Sequence, residues 1–528
     1  MNIQRMTFFY GAFIARFARG ASVVITSGLM LINVTGGAQT VCYVSQDGDD
    51  TSGTSWTTAF RTISNGITHA TGTTNTVLVS NGTYTLTAQI QIENAITVTS
   101  LNGSASTFVN GNYPASNIRC FYLNHTNAVV DGFTITNGYL PAASGGGVWV
   151  KSGSFRNCTI MFNTGYQYGG GVYMDETGVV SRCTIVSNKA THASASQGGG
   201  VAMRSICSLR DCTIQGNSGT NGSGVSFDSG APEMVNCIVS NNIGLIGVLV
   251  SGSGGTISNS TITCHNSQGL NMTLTGIVDN CEISRNGAGG GQIIGNTNYS
   301  TFMQNCRILN NYGDGYGMYL KWGTIKNCLF SGNSTTSRGA GVRLYWGGII
   351  RNCKFINNVA SVAGVREGGG ICVESVTSVP PTEISSCTIA SNQAYYGGGI
   401  YFYKTTSAVD IVYNCIIASN RANNTASGHE IYMLDSDASN AVTFSCIPSY
   451  TGLAPGQANI TNASPQFADI VGGDVHLLNN SPCINTGTNQ AWMEGAVDLD
   501  GHRRIDLFRR VVDMGAYEYM HGGTLFFF

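Results

Sequence analysis

The chain has 528 residues, of which 70 are glycine and only 10% are charged, and its formal net charge is −2. Typical globular chains contain roughly 25% charged residues, so this composition favours a repetitive β architecture over a helical enzyme core. No cluster of Lys and Arg with interleaved aromatic residues occurs in the sequence. We therefore expect no nucleic-acid partner.

The first predicted element is a signal peptide over residues 1–38. Arg5, Arg16 and Arg19 precede the apolar run "ASVVITSGLMLINV" at 21–34, and the small-residue segment "TGGA" follows it. A membrane-spanning helix needs about 20 apolar residues, so this run is too short for one. A buried strand and an uncleaved anchor are the alternative readings. We expect a secreted or cell-surface monomer with no integral membrane domain.

Residues 39–125 are predicted to form an N-terminal cap and the first coils. The segment "VCYVSQDGDDTSGTSW" from Val41 favours a strand and a polar turn, and "TVLVSNGTY" favours a second strand. Between them, "TTAFRTISNGITHA" places Phe60, Ile63 and Ile67 on one face of an amphipathic helix. A solenoid needs such a cap because its first coil would otherwise expose an open end.

Residues 126–446 contain a repeat that aligns on the motif "NCTI". Its cysteine position recurs every 21 to 34 residues, and an apolar residue stands two positions later in each of the first twelve repeats. This alternation predicts a strand with one buried face. The column consists of Phe133, Cys158, Cys183, Cys212, Cys237, Ser260, Cys281, Cys306, Cys328, Cys353, Cys387 and Cys415, with Cys446 as a degenerate last member.

Two further strands follow from the same alignment. A glycine motif such as "GGG" precedes an apolar-x-apolar unit, and a third apolar column lies three residues before each cysteine position. Asn usually stands between that third column and the cysteine, as at Asn157 and Asn305, and it tolerates a left-handed bend better than other non-glycine residues. The sequence thus predicts three short strands in every repeat.

Three strands per turn of about 25 residues, without a helical period, specify an all-β fold. We predict a right-handed parallel β-helix of about twelve coils, roughly 55 Å long. The N-terminal cap contains the helix, and residues 447–528 form a C-terminal β cap.

The cysteines and asparagines of the repeat are predicted to be structural. Column thiols about 4.8 Å apart are too distant for disulfides, and one ligand per coil cannot build a tetrahedral metal site. The sequence leaves open whether Cys446 and Cys483, which lie outside the column, are bridged. Asn stands five residues after each of the ten column cysteines, and a stacked amide ladder would satisfy backbone groups in every coil.

These motifs carry a family resemblance. The N-terminal cap, "DGFTITNG" at Asp131 and the later "GGGVYM" units resemble the pectate-lyase-like right-handed β-helix superfamily. The repeats are also similar to those of polymorphic outer-membrane autotransporter adhesins. The segments "SPCINTGT", "DLDGHRR" and "DMGAYEY", which begin at Ser481, Asp498 and Asp513, resemble the terminal module of choice-of-anchor Q proteins. The resemblance implies a secreted β-helix protein whose partner lies along the outer face of one sheet.

The strand after the glycine motif is the predicted binding face. Its outward positions include no carboxylate, and Trp149 beside Tyr173 and Tyr401 beside Tyr432 form aromatic pairs one coil apart, with Tyr319 between these pairs. Such rings on a rigid sheet suit stacking on sugars, and filling of cross-strand space is the alternative. The predicted outward column reads Trp149, Tyr173, Ala202, Ser226, Leu249, Asn271, Ile293, Tyr319, Arg343, Cys372, Tyr401 and Tyr432.

We therefore predict a non-catalytic adhesin or glycan-binding scaffold whose partner is an extracellular polysaccharide or a host or cell-surface glycan. The alternative is a polysaccharide lyase or glycoside hydrolase with Arg343 in a site built from the loops 189–197, 359–367 or 375–383. No cofactor or metal is predicted. Calcium at "DGDD" (47–50) or "DLDG" (498–501) is an alternative to turn-capping aspartates. His429 in "SGHE" lacks the acid partners of a hydrolase site.

Overall fold

The structure is a computed structural model. It describes residues 41–520 except 71–74, 194–196, 253, 297–300, 362–365, 376–381, 405–409, 425–427, 435–440, 449, 451–457 and 506–509. Before residue 41 it describes only two antiparallel strands, Ala21–Thr26 and Leu29–Val34. The rest of the predicted signal peptide lies outside the described residues, so the signal peptide stays a prediction. None of the helices within the described ranges is long and apolar enough to cross a bilayer.

The chain winds into about thirteen coils of a parallel β-solenoid, as predicted. Each coil contributes one strand to each of three sheets, which we name by their position relative to the sequence motifs. Phe121–Asp131 and Val148–Arg156 each run through two of the sheets.

The post-glycine sheet contains Ile90–Ile92, the first halves of those two strands, Val172–Met174, Val201–Met203, Val225–Phe227, Ile246–Val250, Gln268–Thr273, Gly291–Ile294, Met318–Lys321, Val342–Tyr345, Ile371–Ser375, Ile400–Lys404 and Ile431–Met433. The pre-cysteine sheet contains Val41–Val44, Thr76–Val79, Thr97–Ser100, the second halves of the two long strands, Val179–Ser181, Ser208–Arg210, Glu233–Val235, Thr256–Ser258, Gly276–Asp279, Thr301–Gln304, Thr324–Lys326, Ile349–Arg351, Glu383–Ser385, Ile411–Tyr413 and Ala441–Thr443.

The cysteine sheet contains Gly82–Thr85, Thr107–Asn110, Thr134–Thr136, Thr159–Met161, Thr184–Val186, Thr213–Gln215, Ile238–Ser240, Thr261–Thr263, Glu282–Ser284, Arg307–Leu309, Leu329–Ser331, Lys354–Ile356, Thr388–Ala390 and Ile416–Ala418. Two-residue strands add a short fourth side at Thr164–Gly165, Lys189–Ala190, Ser334–Thr335, Val359–Ala360, Gln393–Ala394 and Arg421–Ala422.

The predicted apolar columns form the core of the solenoid. Identical or similar residues stack in register, as Ile283 does on Ile308, and both of these side chains are fully buried. The chain bends between the pre-cysteine and cysteine strands, where Asn157 has φ 54° and Asn305 has φ 55°. The predicted left-handed bend at Asn is therefore confirmed, and it lets two apolar residues three positions apart both point inward.

The column cysteines are free thiols that hydrogen-bond the bend. All seventeen cysteines of the chain are free, Cys446 and Cys483 included. In the coil of Cys306, Sγ accepts the backbone N–H of Cys281 at 3.4 Å and donates to the carbonyl of Gln304 at 3.0 Å. Ser260 occupies the same position one coil before Cys281, and its Oγ accepts from the N–H of Cys237 at 3.0 Å. The thiol therefore acts as a small buried donor and acceptor.

This role predicts the outcome of two substitutions at Cys306. Cys306→Ser keeps a donor and an acceptor, as Ser260 does, and is expected to change the free energy of unfolding by less than about 1 kcal/mol. Cys306→Ala leaves the N–H of Cys281 without its partner and is expected to cost about 1–3 kcal/mol. Urea unfolding of both variants tests this. Equal losses would mean that sulfur volume, and not hydrogen bonding, selects cysteine.

The asparagines five residues after the cysteines form the predicted amide ladder. Asn188 Oδ1 accepts from both the backbone N–H and the Nδ2 of Asn163 at 3.0 Å, and Asn217 does the same for Asn188 in the next coil. The coil of Ser260 carries His265 at the ladder position, where Nδ1 lies 3.0 Å from Asn286 Oδ1. On the other side of the imidazole, Nε2 lies 3.4 Å from Asn242 Nδ2, so His265 links the asparagines of its two neighbouring coils.

Glu430 terminates the ladder. Its Oε2 accepts from the backbone N–H of Asn420 at 3.2 Å and from Asn420 Nδ2 at 2.6 Å. Burial raises the pKa of Glu430 from 4.5 to about 7, although the Asn420 donors act in the opposite direction. The neighbouring His429 accepts a backbone hydrogen bond from Ala422 through Nδ1 at 2.9 Å. The "SGHE" motif is therefore structural.

The raised pKa of Glu430 predicts a pH dependence of stability. Between about pH 4.5 and pH 7 the folded chain binds a proton at Glu430 that the unfolded chain has released, so stability falls as pH rises through this window. We expect a loss of roughly 2–3 kcal/mol. Comparing urea midpoints of the wild type and Glu430→Gln from about pH 5 to about pH 8 isolates this group. Parallel pH profiles for the two proteins would contradict the assignment.

The two ends of the solenoid differ. The helix Ile63–His69 packs at the first coils, with Ile63 buried and Ile67 against the core, as predicted. The prediction that Phe60 lies on this helix was wrong, because Phe60 precedes the helix and is buried in a parallel β-bridge to Val44. At the other end the hairpin Phe467–Asp469 and Asp474–Leu477 and the 3-10 helix Ala491–Met493 belong to a segment that lies on the side of the cysteine sheet.

Side-chain contacts show how this C-terminal segment docks. Val475 packs on the outward side chains of Ile356 and Ala390, and Thr388 Oγ1 accepts the backbone N–H of Ala516 at 3.0 Å. Cys446 and Cys483 lie in one buried apolar cluster with Ile416, as unbridged thiols. The segment therefore covers a lateral face of the last coils. In addition, Cys446 forms a β-bridge with Ile416 and Ile460 forms one with Cys446, which continues the cysteine sheet beyond its last strand.

Candidate functional site

The candidate site is the outer face of the post-glycine sheet. The predicted outward column is correct at every described coil except one. Ile293 pairs with Met272 and Leu320 and is fully buried, whereas Gln292 pairs with Asn271 and Tyr319 and faces outward. The prediction for Ile293 was wrong because Gly291 belongs to the strand and fills an inward position there.

A first aromatic patch lies near the N-terminal end of this face and consists of Tyr122, Trp149, Tyr168 and Tyr173. The ring of Trp149 lies 4.9 Å from that of Tyr122 and 5.6 Å from that of Tyr173, centroid to centroid. Tyr173 is 7% exposed, and Tyr168 lies against it. The predicted pair of Trp149 and Tyr173 therefore exists, but Trp149 is its accessible member.

Two guanidinium groups contact the first patch in different ways. Arg119 lies 5.0 Å from the Trp149 ring and donates to Gln89 Oε1 and to the carbonyls of Ser144 and Gly145 at 2.7–2.8 Å. Burial lowers the pKa of Arg119 to about 10. No carboxylate pairs with Arg119 among the described residues. Its charge is therefore balanced only by neutral oxygens and the ring.

Arg204 differs because it has a carboxylate partner. Its guanidinium lies 4.6 Å from the Tyr168 ring and 5.8 Å from the Tyr173 ring, and it forms an ion pair with Asp228. Burial and Arg204 act oppositely on the Tyr173 hydroxyl, and burial raises its pKa overall. Arg204 thus borders the first patch, and its ion pair with Asp228 adds no net charge there.

A second aromatic patch consists of Tyr316, Tyr319, Trp322, Tyr345 and Trp346. Lys321 Nζ lies 4.2 Å from the Trp322 ring and 3.9 Å from the Trp346 ring. Lys321 has no ion pair within the described part of the chain. The indole N–H groups of Trp322 and Trp346, like that of Trp149, are buried without a hydrogen-bond partner in the described structure. Both patches therefore combine an unpaired cation with unsatisfied indole donors.

An ion network borders the second patch. Arg343 donates to Glu374 through Nε at 3.0 Å and Nη2 at 2.6 Å, and Arg338 reaches Glu374 at 3.3 Å and Glu367 at 2.9 Å. Arg343 also donates to the Tyr316 hydroxyl. Burial lowers the pKa of Arg343, but the contacts with Glu374 outweigh burial and raise it. The two cations and two carboxylates neutralise each other.

Tyr401 and Tyr432 form the last predicted aromatic pair. Their rings stack 5.6 Å apart, and Tyr396 stacks on Tyr432 at 5.0 Å. Tyr401 is 2% exposed, and burial raises the pKa of its hydroxyl. Tyr432 is therefore the accessible ring of this pair, and the buried Tyr401 ring stacks against it.

Five coils whose outward residue is not aromatic separate the first and second patches. Ala202 and Ser226 are fully buried, and Leu249 is nearly so. Asn271 and Gln292 continue the column to Tyr319. The aromatic face is therefore not a continuous groove, and its two patches lie about 29 Å apart at roughly 4.8 Å per coil.

Within the described residues, no free acid group lies beside Arg343, the residue of the enzymatic alternative. Glu374 is held by Arg343 and Arg338, and Glu367 is held by Arg338. Two further acidic residues follow the outward Tyr173 in the chain. Asp175 caps a turn and accepts from Ser205 Oγ at 2.9 Å, and Glu176 pairs with Lys151. The three candidate loops lie partly outside the described residues.

The two calcium candidates are turns in the structure. Asp50 Oδ1 accepts the backbone N–H of Arg61 at 3.0 Å, and this contact lowers its pKa. Asp498 Oδ1 accepts from the backbone N–H groups of Asp500 and His502 at 2.9 and 2.8 Å. No group of three metal-ligating side chains occurs in the described ranges. The expectation of no metal, with calcium at these turns as the alternative, stays a prediction.

Sequence reasoning missed a second column that builds the site. The residue before the first glycine of each motif lies beside the outward column, as Tyr168, Arg338, Glu367 and Tyr396 do. Each of these residues stands five positions before an outward residue, so their spacing in the sequence is constant. This periodicity is the signal that could have identified them.

Comparisons with known proteins agree with the fold. The family model described as "Right handed beta helix region" matches residues 229–380, and the coils are those of a right-handed parallel β-helix. No curated protein matches the chain. The resemblances to choice-of-anchor Q proteins and to autotransporter adhesins stay predictions.

Three solved structures illustrate the similarity. Pectate lyase Pel9A is 15% identical over 90% of this chain and 96% of its own, with a TM-score of 0.27. The A-module of the Azotobacter vinelandii mannuronan C-5 epimerase AlgE6 is 13% identical over 73% and 93%, with a TM-score of 0.38. The Dettilon tailspike protein is 11% identical over 76% and 70%, also at 0.38. Similarity at this level carries nothing about the activity of this chain.

Proposed function

We propose that the chain is an extracellular or cell-surface glycan-binding protein that does not turn over its ligand. The observation that carries this proposal is the pair of aromatic patches on one rigid sheet, each beside a cation without a carboxylate partner. Aromatic rings fixed on a flat surface offer apolar faces to sugar rings at little cost in side-chain entropy. The parallel coils hold these rings in place through backbone hydrogen bonds.

The charges of the patches favour an anionic glycan. Arg204, Arg338 and Arg343 have carboxylate partners, whereas within the described part of the chain Arg119 and Lys321 contact only neutral groups and rings. A partly buried cation without a counter-ion is costly, and a ligand carboxylate or sulfate would reduce that cost. The indole N–H groups of Trp149 and Trp346 add donors for such a ligand. We therefore assign uronate-containing or sulfated chains as the ligand class.

The ion network argues for binding over catalysis. A general acid or base needs a carboxyl or amine that can exchange a proton, whereas Glu374 is held by Arg338 and Arg343. An arginine base must lose its proton, and the contact with Glu374 raises the pKa of Arg343. The network therefore stabilises the sheet edge as fixed, paired charges.

Native electrophoresis of the full chain in gels containing alginate, polygalacturonate or dextran tests the proposal. We expect the two acidic polysaccharides to retard the chain, neutral dextran not to, and added salt to weaken the retardation. Trp149→Ala should raise the dissociation constant about five-fold or more, because one stacking ring is lost. Phe302→Ala removes an exposed ring from the pre-cysteine sheet and is the matched control.

Two outcomes would contradict the proposal. One is the absence of retardation by any of the three polysaccharides. The other is an equal effect of Trp149→Ala and Phe302→Ala, which would place binding away from the post-glycine sheet.

A further inference from the structure

The spacing of the two patches suggests how a long ligand is held. Trp149 and Tyr173 end the first patch, and Tyr319 begins the second, six coils further along the same sheet. At about 4.8 Å per coil this separation is roughly 29 Å. The intervening outward residues Ala202 and Ser226 are small and buried, so they offer no ring and no charge to a ligand.

Each patch has the parts of an independent site. The first patch has the Trp149 ring, its unpartnered indole N–H and the Arg119 cation 5.0 Å from the ring. The second patch has the same three kinds of group in Trp346, its unpartnered indole N–H and Lys321 at 3.9 Å. The combination of ring, donor and unpaired cation therefore occurs twice.

The outer face between the patches is continuous. Every strand from Val148–Arg156 to Met318–Lys321 pairs in parallel with the next, without a change of sheet. No charged residue occupies the outward column between Tyr173 and Tyr319. Of the carboxylates beside this column, Asp228 and Glu176 are paired with Arg204 and Lys151, and Asp175 accepts from Ser205 Oγ at the edge of the first patch. An extended anionic chain lying along the solenoid axis therefore passes mainly paired charges on its way from one patch to the other.

We propose that one anionic glycan binds both patches at once, so that the protein is a bivalent clamp for long polymers. This inference rests on the proposed glycan-binding function and adds the requirement for ligand length. Once one patch is occupied, the second binds intramolecularly, and the gain depends on whether the ligand spans the gap. Oligomers shorter than the gap occupy the patches singly.

Titration calorimetry with size-fractionated oligoalginates tests the clamp in the full chain. Oligomers of about 15 Å should bind with two equivalents per protein, and oligomers of about 45 Å with one equivalent and at least ten-fold higher affinity. Trp149→Ala should abolish the gain from length and leave the second patch to bind both oligomers alike. Trp346→Ala should likewise abolish the gain from length and leave the first patch to bind both oligomers alike.

Controls separate this inference from loss of folding and from failure of the proposed function. Trp149→Phe keeps a ring and should retain most of the gain from length, and unfolding midpoints of all variants should match the wild type. Equal affinity and stoichiometry for the two lengths would overturn the clamp while leaving glycan binding intact. Absence of binding by either length would overturn both.

Discussion

Replacing Asn311 with alanine is expected to lower the free energy of unfolding by about 3–5 kcal/mol. Asn311 Oδ1 accepts from the backbone N–H and the Nδ2 of Asn286 at 3.1 and 2.9 Å. Its own Nδ2 donates to the carbonyl of Ile283 and to Asn333 Oδ1 at 2.9 and 3.0 Å. Alanine leaves backbone groups on both sides of the coil buried without partners, and each such group costs about 1–3 kcal/mol.

The control for this substitution is Asn102→Ala. Asn102 donates one side-chain hydrogen bond to Asn81 at an exposed position, so its loss should change stability by less than about 0.5 kcal/mol. Urea unfolding followed by circular dichroism compares the two variants. A similar small loss at Asn311 would show that the ladder is a consequence of stacking and does not hold the coils together.

Replacing Glu374 with glutamine is expected to lower the free energy of unfolding by about 2–4 kcal/mol. The Glu374 side chain is 7% exposed and accepts from both Arg338 and Arg343. Glutamine removes the charge that these two guanidinium groups share and leaves only Glu367 to balance them. The cost therefore reflects unpaired, partly buried cations more than the loss of a single contact.

Glu233→Gln is the matched control for this second prediction. Glu233 pairs with Arg210, but both side chains of this pair are more than one third exposed, so we expect a change within about 0.5 kcal/mol. The effect at Glu374 should also persist in high salt, because buried pairs are weakly screened. A salt-sensitive effect of the same size at both positions would contradict the assignment of a buried network.

Much of the fold could be predicted because the coil repeats. Twelve aligned copies average out local ambiguity, so the strands around Cys306 and the ladder at Asn311 followed from spacing alone. The register at Gly291 could not be predicted in this way. A glycine in a turn and a glycine in a strand are identical in sequence, and only pairing with Leu270 and Met318 shows that Gly291 lies in the strand.

The site was less predictable than the fold. Its outward rings follow from alternation, but their exposure depends on side chains from the other side of the glycine turn. Tyr168 covers Tyr173 and Tyr396 lies against Tyr432, across turns in which Gly169 and Gly397 have positive φ. The arginine and glutamate pairs of the second patch also join residues about 30 positions apart. The residues of these two columns vary from coil to coil, so the contacts between them do not recur along the sequence and cannot be inferred from the repeat.

Binding without turnover distinguishes a glycan-binding protein from a lyase or hydrolase. The decisive measurement incubates the full chain with alginate and polygalacturonate, with and without calcium, and follows bound protein together with unsaturated and reducing chain ends. We predict that the protein is retained on the acidic polysaccharides and that no new unsaturated or reducing polysaccharide ends form. New ends whose formation Arg343→Ala abolishes would contradict this account and make the ion network part of a lyase or hydrolase site.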